Sequence, residues 1–397
     1  MDSILCSSVR PPLNHRRPPP RWMTNHPRQT PPGTHKEIIV KIAVVWNHDL
    51  SGVINTFGQP CPERYGSATV RNVVEALRAA EHEVLLCEGD KRLLATLEGF
   101  MPPNREGRPT GLVFNMAYGI QGECRYTHVP AMLEMAGVPY TGSGPLGHAL
   151  ALDKVITKHL IRAAGVPTPA FQVMRTGHED SSGLQFPVVV KPRHESTSFG
   201  LDLVYDRSRL VPAVEKIVAT YQQEALVEEY IEGRELCVAL LGNREIEIFP
   251  FVEHDFGARE VRIITWEDKT HRSAAEPEKI CPPVVTASLA EKLRSIAVAT
   301  FHACRCRDFA RVDIRVDAAG NPFVLEINSM AALGANSSFV LAARTAGLDY
   351  GMLVNRIVRT ADKRYGNIMD RGAERAGTSE STATALSIPT PAAPLAL

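Results

Sequence analysis

Apolar residues recur along this chain in two rhythms, and the change between them divides it. Residues 38–45 form a nearly unbroken apolar run, the signature of a buried strand. Residues 67–80 carry Val70, Val73, Val74 and Leu77 at helical spacing. A strand at 83–86, a helix near 93–97 and a strand at 112–114 follow. Such alternation predicts a parallel sheet covered by helices. Beyond Gly142 the rhythm shifts: a helix at 152–164, strands at 171–174 and 188–191, a helix near 210–221, then β-rich sequence over 225–250. A helix at 288–304, a hairpin at 310–327 and a closing helix at 350–360 complete an α+β half. The expected fold is therefore α/β followed by α+β.

Composition changes this picture at the two ends. Residues 1–37 are rich in proline and arginine and lack apolar periodicity, and 366–397 are rich in alanine, serine, threonine and proline, so both read as disordered tails. Met23 offers an alternative start. A length of 397 residues favours several packed units, here bounded at 38–143, 144–228 and 229–365. Lysine plus arginine (44) balances aspartate plus glutamate (44), which gives no bulk charge for a nucleic-acid or membrane partner. The eight cysteines show no paired CxxC spacing and read as reduced thiols of a cytoplasmic protein. Cys304 and Cys306 read as packing residues. No apolar run approaches the ~20 residues of a membrane helix.

The chemistry concentrates in the hairpin. Arg311-Val312-Asp313-Ile314-Arg315-Val316 and Phe323-Val324-Leu325-Glu326-Ile327-Asn328 flank a turn. A symmetric register sets Asp313 opposite Glu326 and Arg311 opposite Asn328 on one face, with Val312, Ile314, Leu325 and Ile327 on the other. Two facing carboxylates repel, and a hard cation such as Mg2+ would cancel that cost. The competing reading is an ion-pair ladder in which Arg311 and Arg315 neutralise the acids.

Upstream, Val188-Val189-Val190-Lys191-Pro192 delivers a lysine at the end of a buried strand, where it should meet an anion. The polar loop Arg193-His194-Glu195-Ser196-Thr197-Ser198-Phe199-Gly200 could fold over phosphates; a plain surface turn is the alternative. Lys154 of Leu152-Asp153-Lys154 opens a helix. Leu226-Val227-Glu228-Glu229-Tyr230-Ile231-Glu232-Gly233-Arg234-Glu235 reads as strand–turn–strand with acids that are by default solvated.

In this order the segments resemble the ATP-grasp fold, and specifically the D-alanine–D-alanine ligase family, from about residue 41 to about residue 359. Val113-Phe114-Asn115 with Gly119 and Gly122-Glu123, Pro139-Tyr140-Thr141-Gly142-Ser143, Lys158, and the hairpin add to the match. The resemblance implies an N-terminal parallel α/β domain followed by central and C-terminal α+β ATP-binding domains, with ATP between the last two. It implies that Lys154 and Lys191 hold the phosphates, that Glu228, Glu229 and Ile231 meet the adenine, that Glu235 meets the ribose, and that Ser198 and Lys269 also belong to the ATP site. Asp313, Glu326 and Asn328 match the ligands of Mg2+ (or Mn2+). Arg311 matches the arginine that steadies the acyl phosphate, and Glu63 the glutamate that binds the first substrate's amino group. Amino acids are the implied partners, with a homodimer common among relatives.

The departures cluster on the amino-acid side. Tyr118-Gly119 stands for the family's His-Gly, Cys124-Arg125 for Asp-Gly, Ser196-Thr197-Ser198 for Gly-Ser-Ser and Ala331-Ala332 for Pro-Gly. Thr197 is placed with the catalytic residues. Tyr118 and Ser337 are placed at the substrates, Ser337 at the second substrate's carboxylate. Lys269 is followed by Thr270 where a tyrosine is usual. D-Alanyl-D-alanine synthesis is the default expectation; a specialised amino-acid ligase and an idle nucleotide-binding relative are the alternatives.

Overall fold

The computed structural model describes residues 40–368 except 49–51, 56–59, 62, 270–272, 274 and 275, and all of these fall in a single unit. The expected tails, save residues 366–368, and Thr270 lie outside the described residues.

The first sheet has three parallel strands, β1 (Lys41–Trp46), β2 (Glu83–Glu88) and β3 (Gly111–Asn115), in the order β2-β1-β3. Ile42, Ala43, Val44 and Val45 are all buried because central β1 has helices on both faces. Helix α1 (Ser67–Ala79) turns Val70, Val73, Val74 and Leu77 inward, as its spacing predicts. They meet Leu353, Val354, Ile357 and Val358 of the last helix, α10 (Tyr350–Arg364), in one apolar cluster. Across the sheet, α2 (Leu93–Phe100) and α3 (His128–Ala136) contribute Leu93, Leu97, Val129 and Leu133 to a second. The sequence pattern carries no clear signal for α3.

The single helix expected at 152–164 is two, α4 (Pro145–Leu152) and α5 (Lys154–Ala163). Asp153 separates them: its backbone is extended and its carboxylate accepts the Val155 and Ile156 amides at 3.0 and 3.1 Å. The second sheet is antiparallel in the order β4-β7-β5-β6, from β4 (Phe171–Met174), β5 (Val188–Pro192), β6 (Asp202–Val204) and β7 (Ala225–Glu229). Its back packs on α6 (Leu210–Tyr221).

The third sheet runs β11-β10-β8-β12-β13, with β9 (Ile246–Ile248) also on β8 (Arg234–Gly242). Its other strands are β10 (Val252–Asp255), β11 (Glu278–Ile280), β12 (Phe309–Val316) and β13 (Pro322–Asn328), with the short helix α7 (Trp266–Lys269) between β10 and β11. Helix α8 (Ala287–Ala303) covers its back, where Cys304 and Cys306 are buried in the apolar cluster. Helix α9 (Ser338–Thr345) follows β13. No described helix is long and apolar enough to cross a membrane.

The hairpin corrects one expectation. Arg311 pairs with Asn328 and Asp313 with Glu326, but the register shifts after Asp313, so that Ile314 faces Val324. The irregularity takes Leu325 off the core face: it is half-buried in a cleft, while Val324 is buried in its place.

Candidate functional site

The second and third sheets face each other across a cleft lined by Val189, Leu201, Ile263 and Leu325 and by polar residues of both sheets. A second cavity, toward the first sheet, contains Glu63, Tyr118, Arg311, Asn328 and Ser337. Lys154, Ser196, Glu235, Lys269, Asp313 and Glu326 line both, so the two spaces meet at a charged wall.

That wall is built by β-strand alternation, which turns Arg311, Asp313 and Arg315 to one side. Arg311 grips Asp313 through Nε and Nη2 at 2.6 Å each, and Asn328 Nδ2 donates to Asp313 at 3.0 Å. The expected arginine neutralisation therefore exists for Asp313. Arg315 instead pairs with Glu235 at 3.0 Å and donates to the Arg262 carbonyl at 2.7 Å. Glu326 has Lys154 at 3.7 Å. Burial raises the Glu326 pKa, but Lys154, Lys269, Lys191 and Arg311 outweigh it and hold the carboxylate charged. The carboxylates of Asp313 and Glu326 line both cavities and the Asn328 side chain lies beside Asp313, oxygen-bearing groups of the kind Mg2+ accepts.

Lys191 reaches the cleft floor, and the anion it meets is Glu228. The default reading of Glu228 as solvated is wrong: it is 3% exposed. Antiparallel pairing of β5 with β7 sets Glu228 beside Val189, and the carboxylate pairs with Lys191 on one oxygen and Lys158 on the other, the latter at 2.7 Å. Burial lowers Lys158 to about 8 despite Glu228. Burial would raise Glu228, yet the two lysines hold it below its ordinary value. Glu235 is likewise buried, and burial raises its pKa against Arg315. Glu229 lines the cleft while its carboxylate accepts the Gln185 amide at 3.0 Å, and the Ile231 carbonyl accepts Arg315 Nε at 2.5 Å.

The loop expected to cover phosphates does border the cleft. Thr197 and Ser198 both adopt left-handed backbone, at φ 54° and φ 56°. That conformation is uncommon for a β-branched residue. Thr197 Oγ1 donates to the Ser196 carbonyl at 2.7 Å. Lys154 Nζ donates to the Glu195 carbonyl. Arg125, where the family pattern has glycine, fastens the loop from the other side: it pairs with Glu195 at 3.1 Å and donates to the His194 carbonyl at 3.1 Å.

On the amino-acid side, Glu63 accepts a hydrogen bond from the Tyr126 hydroxyl. Tyr118 stacks on Tyr65 with ring centroids 4.8 Å apart. Its position depends on Gly119, whose φ is 83° and where a Cβ would lie 2.0 Å from the Arg125 carbonyl oxygen. Only glycine takes that backbone at so close an approach. Ser337 caps α9: its hydroxyl donates to the Ala332 carbonyl at 2.7 Å and accepts the Val340 amide at 3.3 Å. Its oxygen is thus committed to backbone. Lys279 of β11 also lines this cavity. Lys158, Arg125 and Lys279 escaped assignment from sequence, and Arg315, expected on the hairpin acids, takes Glu235 instead. Nothing in the pattern around a three-residue edge strand marks Lys279.

Residues 160–359 match the sequence model described as the D-ala D-ala ligase C-terminus. The uncharacterized protein y4sG of Sinorhizobium fredii is 57% identical over 330 residues, covering 82% of this chain and 98% of that protein. The D-alanine–D-alanine ligase of Desulforudis audaxviator is 35% identical over 306 residues, covering 74% of this chain and 92% of the relative. The crystal structure of Bacillus anthracis D-alanine–D-alanine ligase complexed with ATP superposes with a TM-score of 0.65 at 21% identity, over 84% of this chain and 99% of that one. This likeness shows the fold.

Proposed function

The chain belongs to the D-alanine–D-alanine ligase family of ATP-grasp enzymes, and on that premise we propose that it is an ATP-dependent carboxylate–amine ligase that works through an acyl phosphate. The observation that carries this reading is the wall shared by the two cavities, where Lys154, Lys269, Asp313 and Glu326 face both spaces. Nucleotide in the cleft and amino acids in the second cavity would meet there.

Val189, Leu201, Ile263 and Leu325 offer apolar walls to the adenine, and Lys154, Lys191 and Lys269 offer positive charge to the phosphates. Asp313, Glu326 and Asn328 would hold Mg2+ or Mn2+, which supplies charge neutralisation on the transferring phosphoryl group. A carboxylate oxygen of the first amino acid attacks the γ-phosphorus, and ADP departs. The amine of the second attacks the acyl carbon, phosphate leaves, and the nitrogen gives up a proton to complete the amide. Arg311, fixed through Nε and Nη2 on Asp313, presents a rigid cation where oxyanion charge develops. Glu63 receives the first amino group.

D-Alanyl-D-alanine, a cell-wall precursor, is the default product. Tyr118 favours a second reading, a specialised amino-acid pair, because it stands where the family pattern has histidine and lines the cavity that faces the amino acids. The proposal includes a cytoplasmic setting, amino acids as the only partners besides nucleotide, and a homodimer. The test is Mg2+-dependent ADP release across D- and L-amino acids, singly and in pairs, with mass spectrometry of products. D-Alanine alone yielding its dipeptide supports the default, another pair supports the second reading, and ATP binding with no turnover refutes both.

A further inference from the structure

Most cations at the two cavities already have a carboxylate. Lys154 has Glu326, Lys191 and Lys158 share Glu228, Arg311 has Asp313, and Arg315 has Glu235. Among the described residues, Lys269 and Lys279 make no ion pair. Lys269 lies on the shared wall and lines the nucleotide cleft, so phosphate accounts for it. Lys279 lines only the amino-acid cavity.

The ammonium of half-buried Lys279 is tethered at one point. It donates to the Asn336 carbonyl at 2.7 Å, one residue before Ser337. Antiparallel pairing sets Lys279 opposite His254, whose side chain also lines the cavity. Burial lowers the Lys279 pKa, with Arg311 acting in the same direction and the Glu276 carboxylate, on the same cavity, against it. His254 brings no competing charge, because burial pushes it down to about 3. One hydrogen bond to a carbonyl leaves two ammonium donors unused. The hydroxyl of Ser337, the other group expected to receive a carboxylate here, is already bound to backbone at both its donor and its acceptor.

We infer that Lys279 pairs with a carboxylate of the amine-supplying amino acid, and so selects acceptors that carry an anion at the end away from the reacting amine. That this amino acid supplies the amine rests on the ligase reading above; the pairing itself does not. The anion has two sources, the acceptor's α-carboxylate or an acidic side chain.

Calorimetry of the full-length protein with Mg2+ and a non-hydrolysable ATP analogue separates them. Alanine is compared with alaninamide, and glutamate with glutamine, in both chiral forms, for wild type, Lys279→Met and Lys279→Arg. At one of these pairs the carboxylate form should bind about tenfold more tightly to wild type, the worth of one charge-assisted hydrogen bond. That ratio should fall toward one in Lys279→Met and largely return in Lys279→Arg. The pair that shows it names the source. A wild-type protein without any carboxylate preference, or a preference unchanged in Lys279→Met, overturns the inference. Binding that obeys these ratios without ADP release in any mixture would instead overturn the ligase reading alone.

Discussion

Lys154 Nζ lies 3.7 Å from Glu326 Oε2, a loose pair at the junction of two cavities, while Asp313 opposite Glu326 is gripped by Arg311 at 2.6 Å. The looser carboxylate is the one with oxygen lone pairs to spare for a cation. Glu326→Gln keeps the volume and removes the charge. Turnover should fall by about 100-fold or more, the scale of losing one preorganised electrostatic group, with the thermal midpoint near that of wild type. Full activity in the variant would sink the metal assignment.

Glu228 sits between two buried ammonium groups and is their shared counter-ion. Replacing it with glutamine leaves Lys158 and Lys191 uncompensated, a change that costs about 3–5 kcal/mol. Urea denaturation should show a loss of about that size. The double variant with Lys158→Met should recover part of it, because one orphaned charge has then been removed. A Glu228→Gln protein as stable as wild type would mean the three groups do not depend on one another.

How far this was legible from the chain varies with the kind of information each feature needs. Two-residue alternation is local, so the Asp313–Glu326 pairing and the shared face with Arg311 could be read from the hairpin alone. Leu325 could not, because the irregularity that turns it into the cleft is set by the pairing beyond Asp313. Glu228 reads as a solvated acid because its partners, Lys191 on β5 and Lys158 on α5, lie far from it in the chain and meet it only in the folded protein. Lys279 stands on an edge strand of three residues, too short to carry a period. The division of α4 from α5 turns on one residue, Asp153, whose capping bonds compete with a continuous helix.

His148 on α4 is fully buried, with Nδ1 2.9 Å from Ser329 Oγ. Burial lowers its pKa to about 3, against an ordinary value of 6.5. Between those values the unfolded chain takes up a proton that the folded protein refuses, so stability falls as pH drops through that window. Moving from about pH 7 to about pH 4.5 should cost on the order of 2 kcal/mol through this group. His148→Asn should lose less over the same interval, as read from urea midpoints. Parallel losses in both proteins would exclude His148 as a source of acid lability.

Arg125 and Glu195, far apart in the chain, form a buried pair, 3% and 5% exposed, at 3.1 Å. The same guanidinium donates to the His194 carbonyl at 3.1 Å and to Cys61 Sγ at 3.2 Å, so one planar group fixes the Ser196-Thr197-Ser198 loop against the first domain. If that loop closes on phosphate, Arg125→Met should raise the KM for ATP and lower kcat, together by about tenfold in kcat/KM, the scale of a misplaced but present binding loop. Arg125→Lys should not rescue it, since an ammonium lacks the fork that meets three acceptors at once. Glu195→Gln should behave similarly, and the double variant should be little worse than either single one, because contacting residues couple. Strictly additive losses would show that Arg125 acts elsewhere, and an unchanged KM for ATP would separate this contact from the nucleotide.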